Sequence, residues 1–449
     1  MSLVGQSLFS LTRALATGEA TSVKLVETAL GAIATDSRAF TRVDGETALA
    51  AARACDQLRE VGIVASPLAG IPISVKDLFD VAGEPTPAGS AILADAAPAR
   101  PAAPAVARLR GAGLIVVGRT QMSEFAFTGL GLNPHGPQPP NPRDGARVPG
   151  GSSGGAAVSV ALGQCAGALG TDTGGSVRIP AAFCGLVGFK PTQRRISRDG
   201  AFPLSPSLDS IGPIANTVAC CRTLDAILAD RPTRRAPVFG LAGLRLGAPA
   251  QYLTADMEGA VADAFERTLA TLSAAGARIE TFDFPELERI PKISAGGTLS
   301  NAEAFAWHRR LGLLDRRERY DPNVLARIEL GGRMSAADYV DLVAARARLI
   351  DEANRRTAPF DAVICPTTPI LAPRIDAVAA GGDFARLNAL ALRNTSVANL
   401  LDRCAISLPM GGGEGAPAGL MLMGETLGDA RLFAIAEAVE GAISGFAAN

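Results

Sequence analysis

The first sixty residues carry apolar side chains at helical spacing. Leu8, Leu11 and Leu15 recur at intervals of three and four, which places them on one face of a helix. A second run at the same spacing follows, with Ser22 or Thr21 placed to cap the N-terminus of its helix. Residues 45–60 continue the pattern. This segment therefore predicts three helices, over about residues 7–60.

Beyond residue 65, short apolar runs alternate with helical patterns. Strands are predicted over Leu68–Val75, Leu114–Gly118, Cys165–Gly170, Leu244–Gly247, Arg278–Phe284, Ala362–Cys365 and Gly419–Met423. Helices are predicted over Ala102–Arg110, Ala156–Leu162, Val218–Ala229, Met257–Ala275, Asn301–Leu314, Ser335–Arg356 and Asp429–Ile443. Such alternation builds α/β folds with a largely parallel sheet. We find no internal repeat, so we expect one domain over residues 1–449, with a surface connection at Arg231–Pro237.

Two glycine-rich clusters lie within this pattern. The first, Gly150–Gly155, reads G-G-S-S-G-G, and the second, Gly174–Ser176, reads G-G-S. Glycine allows positive φ and lets a ligand approach main-chain N–H groups closely. Both clusters are therefore candidates for one site at which serine hydroxyls and backbone amides face a ligand.

Two common uses of such glycines do not fit. Gly150–Gly154 matches G-x-S-x-G, but that nucleophile motif needs a preceding strand and a histidine base. The preceding segment is rich in proline, and the chain has only two histidines, His135 and His308. A phosphate-binding loop is excluded because no G-K-[ST] follows either cluster. If a serine is activated here, another side chain must act as the base.

Lysine is the remaining candidate for the base. The chain has only Lys24, Lys76, Lys190 and Lys292 among 43 basic residues. Arginine does not lose its proton near neutral pH, whereas a desolvated lysine does. Lys76 directly follows the apolar strand that ends at Val75, so burial is expected to lower its pKa.

These segments resemble the amidase signature family of serine hydrolases. The matching segments are Gly70–Asp77, Gly150–Gly155, Asp172–Arg178, Phe189–Thr192, Pro366–Pro369 and Leu408 to Glu425. The resemblance thus covers nearly the whole chain. It implies a single α/β domain with a large, twisted, mixed and mainly parallel sheet surrounded by helices. The catalytic core would span about residues 65–215.

The resemblance also implies roles for individual residues. Ser176 matches the nucleophile that is acylated, Ser152 the serine that follows a cis peptide bond and relays the proton, and Lys76 the base. The backbone amides of Thr173, Gly174, Gly175 and Ser176 match the oxyanion hole. In such a site each donor aimed at the oxyanion typically contributes ~100–1000-fold to the rate.

Further candidates surround these residues. The long loop from Thr120 to Pro142 is expected at the rim of the substrate pocket. Candidate substrate contacts are Ser153, Arg178, Phe125 and Met122. Arg178 has a second interpretation, a structural ion pair, which we favour.

Four other residues receive structural interpretations. His135 and His308 are expected at the edge of the pocket or in packing. Asp172 and Asp209 are expected to hold their loops by accepting backbone N–H bonds.

Composition narrows the partners and the compartment. A net charge of −1 with 19% charged residues does not favour nucleic acid or anionic membranes as partners. The apolar runs are too interrupted to span a bilayer, and the N-terminus lacks the pattern of a signal peptide. Seven scattered cysteines predict free thiols in a reducing compartment. We therefore expect a cytoplasmic protein without metal or organic cofactor, and we leave a homodimer open.

The sequence thus predicts an amidohydrolase that cleaves a small linear carboxylic amide through an acyl-enzyme on Ser176. One alternative is the glutaminase subunit of a tRNA-dependent amidotransferase, which uses the same triad. The loop from Met122 to Pro142 departs from the pattern of that subunit. An alternative of another class is a non-catalytic binding protein on the same fold.

Overall fold

A single sheet of eleven strands forms the centre of the protein in the computed structural model, which describes residues 2–231, 240–379, 383–410 and 416–443. The strands are β1 Phe40–Val43, β2 Pro72–Lys76, β3 Ile115–Thr120, β4 Gly167–Asp172, β5 Val187–Lys190, β6 Ser210–Ala215, β7 Arg245–Pro249, β8 Arg278–Phe282, β9 Ala362–Pro366, β10 Ala405–Met410 and β11 Ala418–Met423. Their order across the sheet is β1-β3-β2-β4-β6-β5-β10-β11-β9-β7-β8. The α/β class and the mixed sheet are confirmed.

The expectation of a mainly parallel sheet is wrong. Among the described residues, four strand pairs are parallel. Six pairs are antiparallel. Four of these six involve β6 or β10, two strands that the apolar pattern did not predict. β6 lies antiparallel between β4 and β5 and so interrupts the parallel series.

Helices cover the sheet. They are α1 Leu8–Thr17, α2 Ser22–Thr35, α3 Gly45–Glu60, α4 Pro104–Gly111, α5 Gly154–Ala161, α6 Arg178–Cys184, α7 Val218–Leu228, α8 Gly259–Ala274, α9 Ile290–Ile293, α10 Leu299–Arg310, α11 Pro322–Gly332, α12 Ala336–Thr357, α13 Ile375–Ala379, α14 Phe384–Leu400 and α15 Asp429–Ile443. Within the ranges described above, no helix is both long and apolar enough to cross a membrane.

Local sequence explains where several helices begin. Thr21, one of the two capping candidates in the sequence, caps α2 by accepting from the Lys24 amide, and Ser22 is the first residue of the helix. Ser335 and Asp338 form a capping box at the start of α12. The surface connection predicted at Arg231–Pro237 lies, apart from Arg231 itself, outside the described residues.

Parallel pairing of β2 and β4 positions the candidate site. Ser74 pairs with Ala168 and Val75 with Leu169, so both strands run toward the same edge of the sheet. Ligands in α/β proteins typically bind at the carboxyl ends of parallel strands. Lys76, the last residue of β2, therefore lies beside Thr171 near the end of β4.

Candidate active site

Lys76 is completely buried at the end of β2. Its Nζ donates to Ser152 Oγ at 2.7 Å and to Thr171 Oγ1 at 2.8 Å. Burial lowers the pKa of Lys76 to about 7, although the negative charges of Asp172 and Asp209 oppose that shift. An amine with a pKa near neutrality is partly unprotonated at physiological pH, so Lys76 is suited to accept a proton.

A main-chain hydrogen bond joins the two glycine clusters. Ser153 N–H donates to the carbonyl oxygen of Ser176 at 3.1 Å. The Gly151–Ser152 peptide bond is cis, which confirms the prediction from the sequence. In the described part of the chain, no hydrogen bond joins the hydroxyls of Ser152 and Ser176. Catalytic hydrogen bonds often tighten only when substrate binds, so this geometry still suits a relay.

Asp172 organises the loop that leads to Ser176. Its Oδ1 accepts from the Gly175 amide at 2.8 Å, which confirms that Asp172 holds this loop through a backbone bond. The same bond corrects the predicted set of oxyanion donors, because an amide engaged with Asp172 is not free to meet an oxyanion. The amides of Thr173, Gly174 and Ser176 remain as candidates.

Gly175 also has to be glycine. Its φ is +132°, and a Cβ there would lie 2.1 Å from Oγ1 of Thr395. The same hydroxyl donates to the carbonyl oxygen of Gly174 at 2.6 Å. Thr395 on α14 therefore supports the loop and occupies the space that a side chain at Gly175 would need.

Asp209 supports the same loop from a second direction. Its Oδ1 accepts from the Thr173 hydroxyl at 2.6 Å, and its Oδ2 accepts from the amides of Leu204 and Ser205, each at 3.0 Å. The predicted backbone-holding role of Asp209 is thus confirmed. Burial raises the pKa of Asp209 to about 6, and its hydrogen bonds oppose that shift.

A cavity of about 550 Å³ opens onto Ser176. We call it the serine cavity. Its walls are mostly apolar and include Leu208, Tyr252, Ile290, Leu342 and Leu392. The charged residues that line it are all arginines: Arg327, Arg386 and Arg393.

Arg327 differs from the other two arginines. Arg386 pairs with Asp383 at 2.7 Å, and Arg393 lies 4.0 Å from Asp256 and donates to Ala255.

The Arg327 guanidinium has no ion pair or hydrogen bond among the described residues, and its Nε is buried without a partner. It lies over the ring of Phe127 at 4.6 Å. Burial lowers its pKa to about 10, which reflects the missing countercharge.

A second cavity, of about 490 Å³, lies beside Thr171, the residue that accepts from Lys76. We call it the threonine cavity because Thr171 and Thr173 line it. Its outer walls include Asp80, Phe202 and Trp307. The two cavities share three lining residues, Ala126, Thr173 and Leu204, so they adjoin at the loop that carries the candidate oxyanion donors.

Comparison with known proteins agrees with this arrangement. A family model described as Amidase matches residues 24–433. The chain belongs to the amidase family. It is 39% identical to 2-amino-5-chloromuconic acid deaminase of Comamonas testosteroni, over 90% of this chain and 88% of that protein. It is 35% identical to a glutamyl-tRNA(Gln) amidotransferase subunit of Roseiflexus sp. (strain RS-1), over 98% of this chain and 97% of that subunit. A crystal structure of an amidase superposes with a TM-score of 0.88 at 35% identity, covering 98% of this chain and 100% of the other.

Within this member of the amidase family, Arg178 is a structural residue. Its side chain is completely buried, and its guanidinium contacts both carboxylate oxygens of Asp172, at 2.8 and 3.0 Å, and Asn399 Oδ1 at 2.7 Å. Burial opposes ionisation of Asp172, but the charge of Arg178 prevails and lowers the pKa of Asp172 to about 2. Arg178 lines neither cavity. Its candidate role as a substrate contact is therefore wrong, and the alternative role, a structural ion pair, holds.

The other three candidate substrate contacts are also buried and line neither cavity. Ser153 donates its hydroxyl to the Thr171 carbonyl at 3.3 Å. Phe125 packs against Phe202 with ring centroids 5.1 Å apart, and Met122 is completely buried. From the predicted rim loop, Ala126, Phe127 and Thr128 line the serine cavity instead.

Among the described residues, neither histidine forms a hydrogen bond with Lys76, Ser152 or Ser176. His308 Nδ1 is 2.7 Å from the Tyr320 hydroxyl, and burial lowers the pKa of His308 to about 4. His135 Nε2 lies 3.2 Å from Oε1 of Glu124, whose side chain is completely buried. Both placements agree with the structural interpretations given to these residues.

Two functional candidates escaped the sequence analysis. Thr171 is the second hydroxyl at Lys76, and it could have been found because it follows the predicted strand Cys165–Gly170. No sequence pattern distinguishes Arg327 from the other arginines, because only the fold brings α11 to the serine cavity.

Proposed function

We propose that this protein is an amidohydrolase that cleaves a carboxylic amide to the carboxylate and ammonia or an amine through an acyl-enzyme on Ser176. The reaction uses Lys76 as the base and Ser152 as the relay. The observation that carries the proposal is the 2.7 Å contact between Lys76 Nζ and Ser152 Oγ in a setting that lowers the lysine pKa to about 7.

In the first half-reaction, neutral Lys76 takes the proton of Ser152 while Ser152 takes that of Ser176. Ser176 Oγ attacks the amide carbon, and the negative charge that develops on oxygen faces the amides of Thr173, Gly174 and Ser176. The carbon–nitrogen bond then breaks, and the proton returns through Ser152 to the leaving nitrogen. In the second half-reaction, water attacks the ester by the same proton route and frees the carboxylate.

The substrate class we propose is an amide whose acyl portion carries a second carboxylate. Arg327 supplies the reason. The residue is half-buried, its Nε is fully buried without a partner, and a desolvated cation without a countercharge is costly unless a ligand provides one. Charge-assisted bonds between a guanidinium and a carboxylate are among the stronger contacts in proteins. The relative from Comamonas testosteroni acts, by its name, on an acid, which agrees with this assignment.

A panel of primary amides tests both parts of the proposal. Aliphatic amides, aryl amides and monoamides of dicarboxylic acids are compared by ammonia release. We expect the monoamides to give the highest kcat/KM, and Ser176→Ala to abolish release from every amide. Ammonia release by Ser176→Ala at the wild-type rate would contradict the mechanism, and a preference for uncharged aliphatic amides would contradict the substrate class.

Arg386 provides a matched control for Arg327. Arg327→Met removes the unpaired cation, and its KM for a dicarboxylic monoamide should rise about tenfold or more, since a hydrogen bond to a charged group contributes ~1.5–3 kcal/mol. Arg386→Met removes a cation of the same cavity that is already paired with Asp383. Its KM should change by less than about twofold. Equal effects of the two changes would contradict the role of Arg327.

A second candidate function is the glutaminase subunit of a tRNA-dependent amidotransferase. The identity of 35% to a glutamyl-tRNA(Gln) amidotransferase subunit over nearly the whole of both chains favours it. Glutamine also carries a carboxylate in its acyl portion, so Arg327 fits both candidates. Rapid glutamine hydrolysis only in the presence of partner subunits would select this function, and hydrolysis of the monoamides by the isolated chain would select the first.

We further propose that residues 1–449 form one domain, since the strands of the single sheet extend from Phe40 to Met423. The cytoplasmic location and the homodimer stay predictions from the sequence.

A further inference from the structure

The threonine cavity is larger than the release of ammonia requires. Ammonia is about the size of water, which occupies ~30 Å³ in the liquid. The cavity has a volume of about 490 Å³ and adjoins the serine cavity at Thr173. An amide carbon held at this junction would direct its two substituents away from each other, one into each cavity.

Hydrogen bonds connect the threonine cavity to the base. Thr171 lines the cavity and accepts from Lys76 Nζ at 2.8 Å. The proton that Lys76 receives must later reach the leaving nitrogen. Lys76 Nζ contacts both Thr171 and Ser152, so the cavity next to Thr171 adjoins the group from which the proton returns through Ser152.

The two cavities also carry opposite charges. The ionisable residues that line the serine cavity, apart from Tyr252, are arginines. The threonine cavity has Asp80, Asp199 and Asp209 against one cation, Arg198. Amines released near neutral pH become cations, so an acidic wall favours their binding.

Asp80 is the carboxylate best suited to this contact. Asp209 already accepts three hydrogen bonds, and Asp199 is exposed to solvent. Asp80 is partly buried, and its Oδ1 accepts from the Thr86 hydroxyl at 2.6 Å. Among the described residues, no arginine or lysine forms an ion pair with Asp80, so one carboxylate oxygen is available to a ligand.

We propose that the threonine cavity is the binding site for the leaving amine, and that it takes alkylamines carrying a second ammonium group, with Asp80 as the countercharge. The proposal rests on the acyl-enzyme mechanism above and names the other half of the substrate. In the chemical step, the bond between the acyl carbon and the substituted nitrogen breaks, and the diamine leaves with the proton returned from Lys76 through Ser152.

Three amides of one acid test the proposal. They are succinamic acid, N-propylsuccinamic acid and N-(2-aminoethyl)succinamic acid, compared by kcat/KM for succinate release. We expect kcat/KM for the aminoethyl amide to be about tenfold higher than for the propyl amide, because the former makes one additional charge-assisted contact. In Asp80→Asn, which keeps an oxygen to accept from Thr86, that ratio should fall to about one.

Asp199→Asn is the matched control, because Asp199 lines the same cavity but faces solvent. Its ratio should stay within about twofold of the wild type, since exposed charges interact weakly. If Asp80→Asn lowers the rates of the two substituted amides equally, Asp80 acts only on structure and the proposal is overturned. Hydrolysis of succinamic acid without hydrolysis of either substituted amide would also overturn it while leaving the proposed function intact. Failure with all three amides would contradict the proposed function itself.

A binding measurement gives an answer that does not depend on turnover. Ethylenediamine should slow the labelling of wild-type Ser176 by a fluorophosphonate, and Asp80→Asn should lose this protection. Equal protection in both proteins would overturn the assignment of Asp80.

Discussion

Two lysines end buried strands of the same sheet, yet their surroundings differ. Lys76 ends β2 and Lys190 ends β5, and both side chains are completely buried. Burial lowers the pKa of Lys76 to about 7, and burial together with the charge of Arg178 lowers the pKa of Lys190 to about 8. Lys76 Nζ donates to two hydroxyls, whereas Lys190 Nζ donates to the carbonyl oxygen of Pro191 at 2.8 Å.

The two lysines differ in whether their hydrogen-bond partner can donate a proton to the neutral amine. A hydroxyl both accepts and donates hydrogen bonds, so Ser152 can pass its proton to a neutral Lys76. A carbonyl oxygen only accepts, so Pro191 offers Lys190 no proton. A lowered lysine pKa therefore does not by itself identify a base, and the hydrogen-bond partner decides.

The largest expected effect comes from the matched changes Lys76→Met and Lys190→Met. Lys76→Met removes the base and should lower kcat/KM by about 10³-fold, within the ~10²–10⁴-fold range of general base catalysis. Lys190→Met should keep kcat/KM within about tenfold of the wild type, which corresponds to ~1.4 kcal/mol of activation free energy. Steady-state kinetics on the best amide of the panel measures both.

Lys76→Arg separates the loss of the base from the loss of the positive charge, because arginine keeps the charge but does not accept a proton near neutral pH. It should be as inactive as Lys76→Met. Activity of Lys76→Arg within about tenfold of the wild type, or equal losses at Lys76 and Lys190, would remove the distinction between the two lysines.

The sequence predicted much of the fold but missed particular strands for a physical reason. β6 and β10 each contain a proline, Pro213 and Pro409, and proline inside an apolar run argues against a central strand because it lacks an N–H. Both strands nonetheless lie inside the sheet. The expectation of a mainly parallel sheet came from the alternation of predicted strands and helices and from the family resemblance, and neither included the antiparallel pairs that these two strands form.

The candidate site was predictable to the extent that it is local in sequence. Lys76 follows a recognisable strand, and the serines stand in glycine clusters. The structure shows that Lys190 also ends an apolar strand, β5, which the sequence analysis did not predict, so a preceding strand does not by itself identify the base. The cavities depend on residues far apart in the chain, such as Asp80 and Trp307, and only tertiary packing brings these together.

The pH profile provides the next largest effect. Lys76 acts as a base only when it is unprotonated, so kcat/KM should rise with pH up to the pKa of about 7 and level off above it. Below that pH, activity should fall about tenfold for each unit. Measurement of kcat/KM from mildly acidic to mildly alkaline buffer checks this, and a flat profile through the acidic range would exclude Lys76 as the titrating base.

A smaller effect is expected from Thr171→Val. The change removes the hydroxyl at 2.8 Å from Lys76 but leaves Ser152 in place. The loss of one hydrogen bond, ~0.5–1.5 kcal/mol, should lower kcat/KM by about two- to tenfold. Thr171→Ser restores the hydroxyl and should recover the activity. A loss as large as that of Lys76→Met would show that Thr171, rather than Ser152, is the essential partner.

The smallest effect concerns stability at Lys190. Its pKa is lower in the folded chain than the ordinary 10.5, so the unfolded chain binds more protons between about pH 8 and 10.5. The free energy of unfolding should therefore increase as the pH rises through this window. Below the window Lys190 is charged in both states, and the cost of burying that charge lowers the stability of the folded chain. Lys190→Met removes this gain. Melting temperatures of both proteins across the window check it, and parallel curves would contradict the lowered pKa.

Acylation of Ser176 is the central claim, and intact-mass measurement after fluorophosphonate treatment tests it most directly. The account predicts one adduct on the wild type, none on Ser176→Ala, and strongly slowed labelling of Lys76→Met with normal labelling of Lys190→Met. An unchanged adduct on Ser176→Ala, or no adduct on the wild type, would contradict the claim.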